Sequence, residues 1–349
     1  MTTKKSQPSE KDILTRIDQS EKETIDMVKK YAKSLRDQAK KDKMEFKKGD
    51  LSTENMAKLF GEITEYKNPN ETLTVVNSYN SDLSFIYRLR ILGETSIWIS
   101  NFNTKILRQI SFEDNNIKTL HEISADIFDM SNSSNNDIFL SMRDTCEVKM
   151  LMKSGKIKSV FSVSTGLLPR AIHVTKDNRI LLGVTDRGHM YKTGDDSFRK
   201  IMVYGMDGKQ KQSFGDEILT FPYRITTNTN RDIVVIDVIA DDSGRIINLG
   251  QDGNLKWIYQ GHPSMNSQRP FDPRDIVTTP KGLVIVADCI SHGIHVLSEE
   301  GTLITCKNMK EQGVVFPYSL DIDNKGLIWV GCDTFKGKAD AKIHNIEIS

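Results

Sequence analysis

A mainly β chain that closes into a six-bladed propeller, behind a short helical or coiled-coil segment, is what three features of this sequence predict. First, one apolar, β-branched run recurs six times: Ile97-Trp98-Ile99, Ile138-Phe139-Leu140, Ile180-Leu181-Leu182, Ile233 to Ile236, Leu283 to Val286 and Leu327 to Val330. Second, each run lies roughly 40–55 residues from the next, the period of a repeat with four strands per unit. Third, polar and glycine-containing turns recur at the same places around each run.

The lead-in comes first. Residues 1–8 read as a disordered tail and 9–66 as a helical segment. Leu14, Ile17, Ile25, Val28, Ala32, Leu35 and Ala39 keep to one helix face, with Glu21 filling the gap and Lys, Glu, Asp, Gln and Arg elsewhere. Ser9 suits an N-cap with Glu10 and Asp12 behind it, and Gly49 suits the end. A shorter helix from Ser52 buries Met56, Leu59, Phe60 and Ile63 before Lys67-Asn68-Pro69 breaks the pattern. The narrow apolar seam needs a partner surface, and self-association through residues 9–48 as a coiled coil is the expectation, over packing on the same chain. The lysines around Lys40 to Lys48 read as a solvated face.

Residues 70–349 carry the repeat. Phe221-Pro222-Tyr223-Arg224, Phe271-Asp272-Pro273-Arg274 and Phe316-Pro317-Tyr318-Ser319 precede the last three runs, and Leu168-Pro169-Arg170 is an earlier, weaker copy. Each leads through a short strand to a polar turn such as Lys176-Asp177-Asn178 or Asp323-Asn324-Lys325-Gly326. Behind the buried run follow a third strand, a turn with Gly155, Gly208, Gly253 or Gly301, and a fourth strand such as Leu255 to Tyr259. A linear solenoid would need shorter units. The sixth unit lacks a fourth strand, whereas Thr72 to Val76 is a spare strand ahead of the first. Pairing of that segment with residues 341–348 is therefore expected to fasten the ring, because otherwise the last blade would present an open edge.

Composition limits the function classes. The 48 basic and 47 acidic residues nearly cancel, with 16 and 13 of them in residues 1–69, so no total charge points to nucleic acid or an anionic membrane. No run approaches the ~20 apolar residues of a membrane span, and the amino terminus has no signal-like apolar stretch. Cys146, Cys289, Cys306 and Cys332 form no CxxC pair and read as small apolar residues in a reducing compartment, which places the chain in the cytoplasm.

Phe271-Asp272-Pro273-Arg274-Asp275-Ile276, Val284 to Asp288, Ser291-His292-Gly293-Ile294-His295-Val296-Leu297 and Glu300-Gly301-Thr302-Leu303 together resemble an NHL repeat. Gly261-His262-Pro263 resembles the linker of propellers in the tripartite-motif (TRIM) proteins, and the helical segment resembles the end of their coiled coil. The resemblance covers residues 70–349 and, more loosely, 10–66. It implies the substrate-recognition half of a TRIM-NHL ubiquitin ligase. Full-length members begin with zinc-binding RING and B-box modules, where the ligase activity resides, and residues 1–120 here hold neither Cys nor His. The resemblance therefore implies a non-enzymatic binding module, with ligase activity only through a RING-bearing partner.

Candidate sites follow from the repeat. Arg170, Arg224 and Arg274 are read as equivalent positions after the repeated Pro or Pro-Tyr, with Tyr223 and Tyr318 beside them, so these five should line one opening of the propeller as a protein-binding face. The alternative ligand for the same face is single-stranded RNA, stacked on the tyrosines. Membership of a ubiquitin-ligase complex as an accessory subunit is a further alternative. Asp186, Asp237 and Asp288, each after a buried run, should accept hydrogen bonds from neighbouring loops; a calcium-dependent hydrolase built on them is the least favoured reading. His292 and His295 point to opposite faces of a strand and are structural. No phosphate cradle or nucleophile elbow occurs. No cofactor or metal is expected.

Overall fold

The computed structural model describes residues 72–93, 96–113, 116–194, 196–215, 218–335 and 340–349. The tail assigned to residues 1–8 and the helical segment assigned to 9–66 lie outside the described residues.

Six four-stranded antiparallel sheets form the ring. Blade 1 is β2 (Arg88–Leu92), β3 (Ser96–Asn101), β4 (Ile106–Glu113) and β5 (Asn116–Ser124). Blade 2 is β6 (Ile127–Asn132), β7 (Ile138–Met142), β8 (Glu147–Leu151) and β9 (Ile157–Ser162). Blade 3 is β10 (Leu168–Val174), β11 (Arg179–Thr185), β12 (Arg199–Gly205) and β13 (Gln210–Phe214). Blade 4 is β14 (Pro222–Thr227), β15 (Ile233–Ala240), β16 (Ser243–Leu249) and β17 (Leu255–Tyr259). Blade 5 is β18 (Pro273–Thr278), β19 (Val284–Asp288), β20 (Gly293–Leu297) and β21 (Leu303–Asn308). Blade 6 joins β22 (Pro317–Ile322), β23 (Ile328–Cys332) and β24 (Lys342–Ile348) to β1 (Leu73–Asn80), from the other end of the described chain.

That last pairing is the closure expected from the sequence. Leu73 faces Ile348 and Asn80 faces Lys342, with one register shift between Val75 and Asn77. The ladder continues one step further, where Thr72 N donates to Ser349 O and Ser349 N donates back. Leu73 is buried, so the seam is sealed by packing as well as by the backbone.

The six apolar runs are the second strands β3, β7, β11, β15, β19 and β23. Each is sandwiched between two neighbouring blades, which is why both its faces are apolar; Val284 to Asp288 is buried throughout. Fourth strands lie at the circumference and alternate, as in β5, or are nearly all exposed, as in β13. The core is accordingly divided into one apolar cluster per blade interface. Leu320, Val330 and Ile346 of blade 6 meet Ile285 and Val296 of blade 5, for example, and Ile343 of blade 6 meets Leu89 and Ile99 of blade 1. Each blade stabilises the next, and none buries its faces alone.

Two local devices repeat. The glycine between third and fourth strands has positive φ, as at Gly253 (+83°) and Gly301 (+82°), and an aromatic ring from the preceding blade's fourth strand lies on it: Phe214 on Gly253 and Trp257 on Gly301. A Cβ there would be strained and would also strike the ring. In the second strands, Gly183 and Gly331 admit the next blade's inner strand. A Cβ on Gly183 would lie 2.7 Å from Pro222 O, and one on Gly331 would collide with Ile86 and Ser319.

Candidate functional site: the arginine-aromatic collar

The first strands β2, β6, β10, β14, β18 and β22 line the axis. In five of them the register against the second strand slips near the start. Pro222 faces Asp237 while Arg224 faces Ile236, and likewise Pro273 faces Asp288 while Asp275 faces Ala287. The same slip occurs in β6, β10 and β22. Each is a β-bulge, which inserts one unpaired residue and re-aims its side chain.

The bulge sorts the axial residues into tiers. Tyr87, Phe128, Arg170, Tyr223, Arg274 and Tyr318 form the upper tier, one per blade, and each stands ten residues before the matching position of its blade's buried run, at 97, 138, 180, 233, 284 and 328. Arg88, Asp129, Ala171, Arg224, Asp275 and Ser319 come one residue later. Arg224 is therefore equivalent to Asp275 and not, as the Pro-Tyr-Arg motif suggested, to Arg170 and Arg274. The motif matches residue types, whereas the register follows the bulge.

The upper tier is a closed collar. The Tyr223 and Tyr318 hydroxyls share a hydrogen bond of 3.0 Å across the axis. Tyr87 packs on Phe128 and Tyr318, with ring centroids 6.4 and 5.8 Å apart, and Phe128 packs edge-on against Tyr223 at 5.7 Å. Arginines lie over the rings: Arg170 over Phe128 at 5.0 Å, Arg274 over Tyr318 at 5.7 Å and Arg143, from the loop after β7, over Phe102 at 4.1 Å. All five residues singled out from the sequence meet here, four in the collar and Arg224 just beneath it, its guanidinium 3.7 Å from the Tyr223 ring centre. Only part of this group reaches solvent: Tyr223 is 7% and Arg224 1% exposed, whereas Arg170 and Tyr318 are half-buried.

The cations are unequally compensated. Arg274 pairs with Asp272 at 2.6 Å, and Arg143 with Asp126 at 3.1 Å. Arg170 donates only to neutral groups, the Thr185 hydroxyl at 3.3 Å and Arg143 O at 2.9 Å. Burial pushes its pKa down to about 10, with Arg143 and Arg187 adding to the effect against Tyr87 and Asp144. Burial likewise raises the Asp272 carboxyl to about 6 in spite of Arg274.

Below the collar the channel is ionic. Arg88 Nη1 donates to Asp275 Oδ2 at 2.6 Å and Arg88 Nε lies 3.3 Å from Asp129 Oδ1. Burial works against the Arg88 cation, but Asp275 and Asp129 outweigh it and hold its pKa above the ordinary arginine value. Burial lifts the Asp129 carboxyl to about 6, against the pull of Arg88 and Arg90. These acids also tie the blades together. Asp129 Oδ2 accepts from Ile172 N of blade 3, Asp275 Oδ2 from Leu320 N of blade 6, and Asp321 Oδ2 from Ile91 N of blade 1. An innermost strand has one unpaired edge, and the neighbouring blade's carboxylate satisfies part of it.

The acids that follow the apolar runs are committed to local contacts. Asp237 accepts from Thr220 N and Phe221 N and pairs with Arg245. Asp288 accepts from Asp272 N, Asn266 and His295, and Asp186 accepts from Gly188 N and Phe198 N and pairs with Arg199. The described residues contain no group of three or more His, Cys, Asp or Glu placed to hold a metal ion. His292 and His295 do not share a site: His292 Nδ1 accepts from Phe316 N in a turn, whereas His295 is buried between Tyr259 and Asp288. Four free thiols are present, of which Cys289 and Cys332 are buried.

One feature of this end was not legible as a motif. The connections between second and third strands lie on the collar side, and four blades expose a large apolar side chain there: Phe102 (39%), Met190 (41%) and Phe335 (57%) in loops, and Ile239 (39%) near the end of β15. Phe102, Met190 and Phe335 are separated from the apolar runs by polar residues and Ile239 follows Val238 at the end of β15, so periodicity gives no signal of their exposure. The ten-residue offset would have located Tyr87 and Phe128.

The chain is a six-bladed β-propeller. Solved structures share the fold at low identity. Virginiamycin B lyase from Staphylococcus aureus superposes with a TM-score of 0.54 at 14% identity, covering 80% of this chain and 100% of that one. A putative gluconolactonase gives 0.56 at 12%, covering 79% and 98%. The WD40 propeller domain of Doa1 gives 0.53 at 11%, covering 79% and 97%. Two of these are named as enzymes and one as a WD40 propeller domain, so the likeness establishes architecture alone. No family model and no curated protein matches the chain. Among the described residues no helix is long and apolar enough to cross a membrane.

Proposed function

We propose that this chain is a non-enzymatic recognition module of the NHL type, related to the substrate-binding half of TRIM proteins, and that the collar end receives a protein partner. The observation that carries this reading is the exposure of Phe102, Met190, Ile239 and Phe335 around the half-buried Arg170 and Tyr318. Apolar anchors beside an arginine and aromatic rings are the composition of protein-binding hot spots. RNA is less well served. Base stacking needs free ring faces, and Tyr223 is buried with Arg224 already over its ring. The free thiols are in keeping with a cytoplasmic setting.

A photo-crosslinking amino acid at position 102, with a second at Leu120 on the outer strand β5 as control, tests the reading in cells. A protein adduct at 102, absent at 120 and lost with Arg170→Glu, is the expected result. A ribonuclease-sensitive adduct at 102, or a protein adduct unaffected by Arg170→Glu combined with Phe335→Ser, would overturn it.

A further inference from the structure

The channel beneath the collar contains two guanidinium groups with surplus donors. Arg88 and Arg224 are 0% and 1% exposed. Arg88 Nη2, Arg224 Nε and Arg224 Nη2 have no hydrogen-bond acceptor, and Arg88 Nε, although 3.3 Å from Asp129 Oδ1, is not in hydrogen-bonding geometry. Such groups are costly to leave without an acceptor in a protein interior.

Both groups converge on one region. The guanidinium carbons of Arg88 and Arg224 lie 5.2 and 5.3 Å from the centre of the Tyr87 ring, and both Nε atoms approach the same Asp129 oxygen, at 3.3 and 4.0 Å. Asp129 cannot serve them fully, because its oxygens also accept from Met130 N and Ile172 N. Their anionic neighbours, Asp129 and Asp275, are already engaged by backbone amides and by Arg88 Nη1. Four donor nitrogens on two buried cations facing one region suit an anion better than a neutral water molecule, which would need acceptors for its own protons.

We propose that Arg88 and Arg224 hold a small monovalent anion of the halide class on the axis beneath the collar. Small size follows from the closed collar above, where the Tyr223–Tyr318 hydrogen bond and the near-complete burial of Arg224 leave no passage for a peptide side chain or a nucleotide phosphate. The anion accepts hydrogen bonds from the free N–H groups of both arginines. It locks blades 1 and 4 across the axis and is independent of what the outer face recognises.

The test uses the full chain. Crystals soaked in sodium bromide should give an anomalous peak within hydrogen-bonding reach of both guanidinium groups. In solution, Tm should rise with the logarithm of bromide or chloride concentration at ionic strength held constant with gluconate. Arg224→Met should lose that halide dependence. If this variant does not fold, the wild-type measurements still decide. A bromide map empty at that point, with an ordered water there instead, or equal wild-type Tm in halide and gluconate, overturns the proposal.

Discussion

Replacing Asp275 by alanine tests the ionic axis most directly. The Asp275 carboxylate is 0% exposed; it accepts from Arg88 Nη1 at 2.6 Å and from Leu320 N at 2.8 Å through Oδ2, and from its neighbour Ile276 N at 2.9 Å through Oδ1. Its removal strands the buried Arg88 cation, whose remaining anionic neighbour is Asp129, and it also leaves the Leu320 amide without its side-chain acceptor. Stranding one partner of a buried pair costs ~3–5 kcal/mol. The orphaned amide contributes ~1–3 kcal/mol of its own. A loss of at least ~4 kcal/mol and a fall in Tm of ~10 °C are expected for a domain of this size. Urea unfolding followed by the fluorescence of Trp98, Trp257 and Trp329 measures it. The double variant Arg88→Met, Asp275→Ala removes the stranded charge and keeps only the amide defect, so it should be more stable than Asp275→Ala alone, with a coupling of ~2 kcal/mol. A loss below ~1 kcal/mol for the single variant, or strict additivity in the double variant, would refute the reasoning.

Leu73→Ala, at the closing strand, should cost ~2–5 kcal/mol, and removal of residues 72–80 should expose the β24 edge and produce larger species on size-exclusion chromatography. Gly331→Ala should destabilise by ~1–3 kcal/mol, because the added methyl meets Ile86 and Ser319 in a packed interface, and thermal melting reads this out. Asp129 should make stability depend on pH in a defined direction. Its folded pKa of about 6 lies above the ordinary value of 3.8, so its contribution is fully present below about pH 4 and is lost as pH rises through about 6. Asp129→Asn should therefore gain stability relative to wild type as pH is raised across that window, and a difference independent of pH would contradict this.

The repeat was legible because its signals are local. The apolar second strands declare themselves by burial on both faces, and the hairpin glycines by the positive φ that only the turn demands. The missing fourth strand of the last blade, with the spare strand at Leu73, even indicated the closure. The binding end was legible only as a cluster: Arg170, Tyr223, Arg224, Arg274 and Tyr318 do meet, but their tiers were misassigned. A bulge changes register without changing residue type, so Arg224 resembled Arg274 in sequence while standing level with Asp275. Phe102, Met190 and Phe335 carried no sequence signal, since exposed loop residues obey no period, and Ile239 reads in sequence like the buried residues before it in β15.

By itself the sequence determined the blade, because alternation, turn chemistry and burial act within about fifty residues; counting the copies gave their number, and the strand missing from the last copy and spare before the first gave the closure. Only the tertiary structure decided what occupies the axis. Arg88 and Asp275 are 187 residues apart and Tyr223 and Tyr318 are 95 apart, and no local pattern couples such pairs. Closure brings six inner strands to one line, and there the bulges, not the motif, choose which side chains face each other.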